Sequence, residues 1–253
     1  MAKHKVHLSK ISLLHYWKLF FRGALLLFST AVYINDRIAA VESNIHFPSF
    51  ITHPYMMAFI WIVFAAEMLL RFFPSPVESA GCQKVFARNY QPAPQPKKPR
   101  DDRKATWAIL AAWLGLNGII AALYFAHIID SGILILIALA YSVCDMICIL
   151  FFCPFQTWFL KNKCCGTCRI YNWDFAMMFT PLVLVPRPFT WSLFGLGLAL
   201  VIHWEVTHYR HPERFYEETN CALSCANCAE RLCAHKKQLR SLHKKLRQLK
   251  LMK

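Results

Sequence analysis

The sequence predicts an all-α, polytopic membrane helix bundle of about six transmembrane helices, with both termini in the cytoplasm. Three observations predict it. Of the 253 residues, 57% are apolar and only 17% charged, far from the balance of a soluble domain. The apolar residues are gathered into six blocks: Leu13 to Ile34, Tyr55 to Phe73, Trp107 to His127, Ser131 to Phe152, Trp173 to Val185 and Phe189 to Tyr209. A bilayer core takes about 20 mostly apolar residues at roughly 1.5 Å of rise each, and all the blocks but the fifth are close to that. Finally, the basic residues alternate between loops: three Lys in Met1 to Lys10, seven Lys or Arg in Pro74 to Lys104, three in Pro154 to Asn172 and eleven from Arg210 onward, against Arg37 and Arg187 in the intervening loops. That 24-to-2 split is the positive-inside pattern. It sets the chain in the cell (cytoplasmic) membrane and makes lipid, not nucleic acid, the partner of the +15 net charge.

Residues 1–73 carry helices one and two. Lys18 and Arg22 interrupt the first block one turn apart, and their long stems are expected to carry both charges back to the cytoplasmic surface. Residues 74–105 are a Pro/Lys-rich cytoplasmic linker, in which Gln91 to Arg103 has the composition of an extended, solvated chain. Residues 106–153 make a hairpin of helices three and four, joined by a few residues around Asp130 and expected to pack antiparallel. A cysteine-rich loop follows at 154–172. The fifth block has thirteen residues, about 20 Å of helix, so it is a tilted or re-entrant span. With the sixth it fills 173–209, turned outside by Pro186-Arg187-Pro188. The tail, 210–253, adds a cysteine cluster and a run with Leu239, Leu242, Leu246, Leu249 and Met252 three or four apart among basic residues. That run reads as an amphipathic helix on anionic lipid.

Eleven cysteines carry the chemical information, and none falls in an outer loop. Clusters in a reducing compartment point to metal ligation more than to disulfides. Cys221, Cys225, Cys228 and Cys233 provide four thiols for a zinc ion or an iron–sulfur cluster. A competing reading makes Cys221, Cys225 and Cys228 one packed helix face at i, i+4, i+7. Cys153, Cys164, Cys165 and Cys168 form the second group. Its Cys165 to Cys168 step suits one metal, while one of the adjacent pair is free to join Cys153, or the pair itself to act as a redox dithiol. Cys144 and Cys148 sit in the inner half of helix four, and Cys82 in the first inner loop.

Acids inside hydrocarbon are costly and face the bundle interior, where they pair or serve a path. Glu67 and Arg71, one turn apart, form the expected structural pair; Asp174 begins helix five; Asp145 and Glu205 are the catalytic candidates. His208 and His211 stack with Glu205 at three-residue steps and are added to the metal ligands. Haem is not expected, since His15 with His203 and His53 with His127 share only depth. No GxGxxG, GxxxxGK[ST], GxSxG or HExxH occurs, which removes the familiar nucleotide, serine-hydrolase and zincin chemistries. The remaining readings are a redox or electron-transfer subunit with an iron–sulfur or zinc centre and a soluble or membrane redox partner, a zinc-stabilised transporter or binding protein, and a membrane-embedded enzyme acting on a lipid-phase substrate.

Overall fold

The computed structural model describes residues 10–43, 54–74, 83–95, 101–161 and 168–224. Helix α1 (Lys10–Ser43), α2 (Pro54–Leu69), α3 (Arg103–Phe125), α4 (Ser131–Leu150), α5 (Asp174–Phe179) and α6 (Pro188–Arg210) account for most of them, joined by short 3-10 turns and one π-helical turn at Phe155–Leu160. Among the described residues the only β-type pairing is one isolated bridge, Pro92 with Asn220.

Four helices, α1, α3, α4 and α6, are long and apolar enough to cross a membrane; α2 is apolar but shorter. The surface of α3 shows why lipid is the solvent. Only 11% of its apolar window is buried, and Trp107, Leu114, Ile119 and Phe125 stand outward. In water such a surface would drive aggregation; against acyl chains it is satisfied.

The fifth block is not a helix of membrane length. Six residues of α-helix pass into a 3-10 turn at Thr180–Leu184, where Pro181 has no N–H to give to the α-helical ladder. The segment is instead core: Phe175, Met178, Phe179 and Leu182 are buried. It lies so close to α6 that a Cβ on Gly197 would come within 3.1 Å of the Ala176 nitrogen, a contact only glycine avoids.

Around this segment the core joins Phe64 and Met68 of α2, Ile135 and Leu139 of α4, and Leu193 and Leu200 of α6, with the Phe64 and Phe179 rings edge to face at 5.2 Å. The expected α3–α4 hairpin is looser than predicted. Its turn is well made: His127 adopts a left-handed conformation (φ 57°), and Asp130 caps α4 by accepting the Ile133 N–H at 2.9 Å. Yet α4 packs mainly against α1, closing to the point where a Cβ on Gly132 would meet the Tyr33 ring at 2.7 Å. Large side chains bridge α3 to α4, with the rings of Trp113 and Tyr141 4.7 Å apart.

Candidate functional site

Arg22 does not reach the surface of the bundle. It is 1% exposed, and its guanidinium lies between α1, α2 and α4. One nitrogen donates to Glu67 at 2.5 Å; the other donates to Asp145 at 3.2 Å and to the Ser142 carbonyl at 3.1 Å. Lys18 adds a longer contact to Glu67 at 3.7 Å, and the face of Phe64 lies 5.2 Å from the Arg22 carbon. Snorkelling loses because two carboxylates on neighbouring helices are within reach: a buried arginine that satisfies both costs less than leaving two buried anions unpaired.

The expected Glu67–Arg71 pair is likewise replaced. Arg71 donates to Asp174 at 2.7 Å and packs on the Phe175 and Tyr171 rings at 4.5 and 5.4 Å. The end of α2 and the turn that follows it thus send an acid and a base to different partners, because this stretch lies between the α1/α4 side and the α5/α6 side of the bundle.

Beside these pairs is a cavity of about 130 Å³. Cys144, Cys148, Cys153 and Cys168 border it together with Asp145 and Asp174. Trp113, Tyr141, Tyr171 and Met178 form much of its apolar wall. Local structure explains how thiols from different stretches meet. At the end of α4 the helix stops at Phe151, and Pro154 opens the π-helical turn. Cys153 sits at the bend, its sulfur accepting the Gln156 N–H at 3.4 Å and its carbonyl accepting the Thr157 hydroxyl at 2.9 Å. The bend returns Cys153 to Cys148, and the two thiols hydrogen-bond. Lys161, left-handed at φ 51°, ends the turn. Cys168 resumes the described chain in the same cavity, its carbonyl accepting the Tyr171 N–H at 3.1 Å.

Asp145, Cys153 and Cys168, expected from the sequence, are therefore brought together, with Cys144, Cys148 and Asp174 added. Glu205, His208 and His211 go different ways. Both oxygens of Glu205 take the Arg169 guanidinium in a two-point contact, and Trp173 donates to it at 2.7 Å. His208 pairs with the Tyr216 hydroxyl at 3.1 Å, which burial holds above its ordinary pKa and so protonated. His211 pairs with Glu213 at 3.2 Å. Among the described residues, no three His, Cys, Asp or Glu side chains form a metal-binding group. Cys164, Cys165, Cys225, Cys228 and Cys233 lie outside the described residues, as do Cys82 and the leucine-spaced tail run.

Cys221 lies at a different place, in a cap that sequence reasoning missed. Asn220 is fully buried. Its amide nitrogen donates to the Lys84 and Arg214 carbonyls at 3.2 and 2.8 Å, and its oxygen accepts from the Gln91 and Ala222 N–H groups at 3.3 and 3.0 Å. All the hydrogen-bonding capacity of the amide is thereby used. Ala93 donates to Thr219 and Cys221 to Gln91, at 3.1 and 2.8 Å. The start of the presumed solvated linker is thus extended but paired, over a floor of Trp204, Phe86 and Phe215. The packed face proposed for Cys221 onward does not begin as an α-helix: Cys221–Leu223 is a 3-10 turn closed by Ser224 in extended conformation.

The chain matches no protein-family model, no characterised protein and no solved structure.

Proposed function

We propose that the protein is a six-span membrane protein with both termini cytoplasmic, its short fifth segment crossing inside the bundle where neighbouring helices shield it from lipid, and that it is a redox or electron-transfer subunit whose cysteines hold a metal at the cytoplasmic face. One observation carries the reading: thiols of α4, of the bend after it and of the end of the cysteine-rich loop converge on a single cavity beside two carboxylates. Thiol-rich donor sets suit zinc and iron–sulfur centres. Ligands are drawn from Cys164, Cys165 and Cys168 of the loop and from Cys221, Cys225, Cys228 and Cys233 of the tail; such a centre would supply one-electron chemistry if iron–sulfur, or closure of the loops if zinc. The transport reading loses support because Glu67, Asp145, Asp174 and Glu205 each face an arginine, which leaves no uncompensated carboxylate among them to draw in a cation.

The test is metal analysis and an absorption spectrum of full-length protein purified without oxygen. An iron–sulfur centre colours the protein brown, and zinc leaves it colourless. The double replacement Cys225→Ser/Cys228→Ser should release metal and lower stability, since structural metal contributes on the order of 10 kcal/mol to ordering its ligands. Metal-free protein with unchanged melting of the double variant would overturn the proposal. Orientation is tested separately: a reporter after Lys253 should be cytoplasmic and one near Val41 outside, and external protease reaching Lys253 in intact cells would refute the topology.

A further inference from the structure

Within the redox reading, on which this inference rests, Cys148 and Cys153 stand apart from the proposed metal ligands. They are the two thiols in hydrogen-bond contact across the end of α4, and both border the cavity. The Gln156 N–H is directed at the Cys153 sulfur at 3.4 Å.

The cavity has the size and walls for a ring. An apolar cavity of about 150 Å³ takes up benzene, so one of about 130 Å³ fits a single six-membered ring. Trp113, Tyr141 and Tyr171 provide aromatic faces, and Met177 and Met178 soft, adaptable ones. Cys144, one turn before Cys148, is exposed on the surface of α4 and also borders the cavity, so the cavity reaches the outer face of the bundle. Exposed Phe152 and Trp158 lie nearby in the chain, packed edge to face at 5.9 Å. A ligand entering there comes from lipid.

We propose that Cys148 and Cys153 are a dithiol that reduces a quinone-class carrier drawn from the lipid phase into this cavity. Two S–H bonds break and one S–S bond forms between the two sulfurs. Two electrons and two protons pass to the quinone, whose carbonyl oxygens become hydroxyls. Asp145, bordering the same cavity, is placed to take a thiol proton and pass it to the reduced ring, with Arg22 holding its carboxylate in position. Cellular thiols regenerate the dithiol by exchange.

The experiment uses full-length protein in lipid nanodiscs, as purified and in parallel after metal removal by a chelator, reduced and freed of reductant without oxygen. It is mixed with a decyl-substituted benzoquinone whose ring positions are all occupied, so that thiols cannot add to the ring. Quinol formation is followed, and each cysteine is then alkylated and read by mass spectrometry. The expected result is quinol equimolar with protein and joint loss of alkylation at Cys148 and Cys153. Cys148→Ser and Cys153→Ser should each lower the rate about a hundredfold, whereas Cys82→Ser should not. The alkylation pattern of the unaltered protein answers the question even if a serine variant folds poorly. No quinol, a disulfide trapped between other cysteines, or undiminished reduction by the folded serine variants would overturn the dithiol. If reduction vanishes with the metal while Cys148 and Cys153 stay alkylatable, the dithiol fails and the metal-centred reading stands.

Discussion

Arg37 and Arg22 lie on the same helix, α1, and each pairs with an aspartate of α4, yet the pairs occupy opposite physical regimes. Arg37 meets Asp130 where their side chains are 58% and 36% exposed, with the Tyr33 hydroxyl between them as a shared neighbour. Arg22 meets Asp145 where the side chains are 2% and 14% exposed, and takes Glu67 as well. At the first site water or headgroups can replace either partner, so the pair adds little. At the second nothing can, so the pair is less a source of stability than a condition for burying any of its members.

The sharpest way to break this comparison is Arg22→Met. It leaves Glu67 and Asp145 buried without the arginine that hydrogen-bonds both, and should cost about 3–5 kcal/mol, read as loss of folded protein in detergent or a much lower unfolding midpoint. Replacing all three as Arg22→Met/Glu67→Leu/Asp145→Leu should recover most of that loss; if it does not, the cluster stabilises in its own right. Asp145→Asn is milder, since Glu67 still engages Arg22. We expect about 1–2 kcal/mol of destabilisation, with the chain inserted and the proposed redox activity abolished; full activity would return Asp145 to a structural role. Asn220→Ala strips the cap of four hydrogen bonds and should cost about 2 kcal/mol, detected as faster protease cleavage after Phe215. At the exposed pair, Asp130→Ala should cost about 1 kcal/mol through the lost N-cap, while Arg37→Ala should change stability by less than about 1 kcal/mol. A large loss for Arg37→Ala would erase the contrast.

The helices α1, α3, α4 and α6 were legible because a bilayer imposes length and apolarity on any segment that crosses it, and both can be counted along a sequence. Block five has the short extent its thirteen residues imply, but the sequence does not show that its α-helix gives way to a 3-10 turn at Thr180 or that its close approach to Gly197 buries it inside the bundle. The same logic misplaced Arg22 and Arg71. A sequence shows an arginine's depth in a block but not what stands on the facing helix, and here Asp145 and Asp174 stand there. In the cavity, Asp145, Cys153 and Cys168 had been singled out individually. Their convergence depends on the bend at Pro154, and a proline that ends a helix does not say where the chain goes next. Asn220 gave no signal, since its partners are backbone groups from residues 84, 91 and 214. Glu205 and His208 share a helical turn, but α6 ends at Arg210 and leaves His211 outside it, and Arg169, Tyr216 and Glu213 each claim one member.

The distance in sequence between Arg22 and its partners also bears on how the chain is made. Glu67 follows it by 45 residues and Asp145 by 123. At about 5–20 residues per second of synthesis, α1 waits roughly 6 to 25 seconds before α4 has emerged. During that interval a guanidinium belonging deep in the bundle has at most one of its two carboxylates. Helix α1 therefore enters the bilayer as an incomplete part, held at the surface or beside the insertion machinery until its partners arrive. Ribosome-bound intermediates stopped before Asp145 should leave α1 extractable by alkali, and those stopped past residue 185 should not.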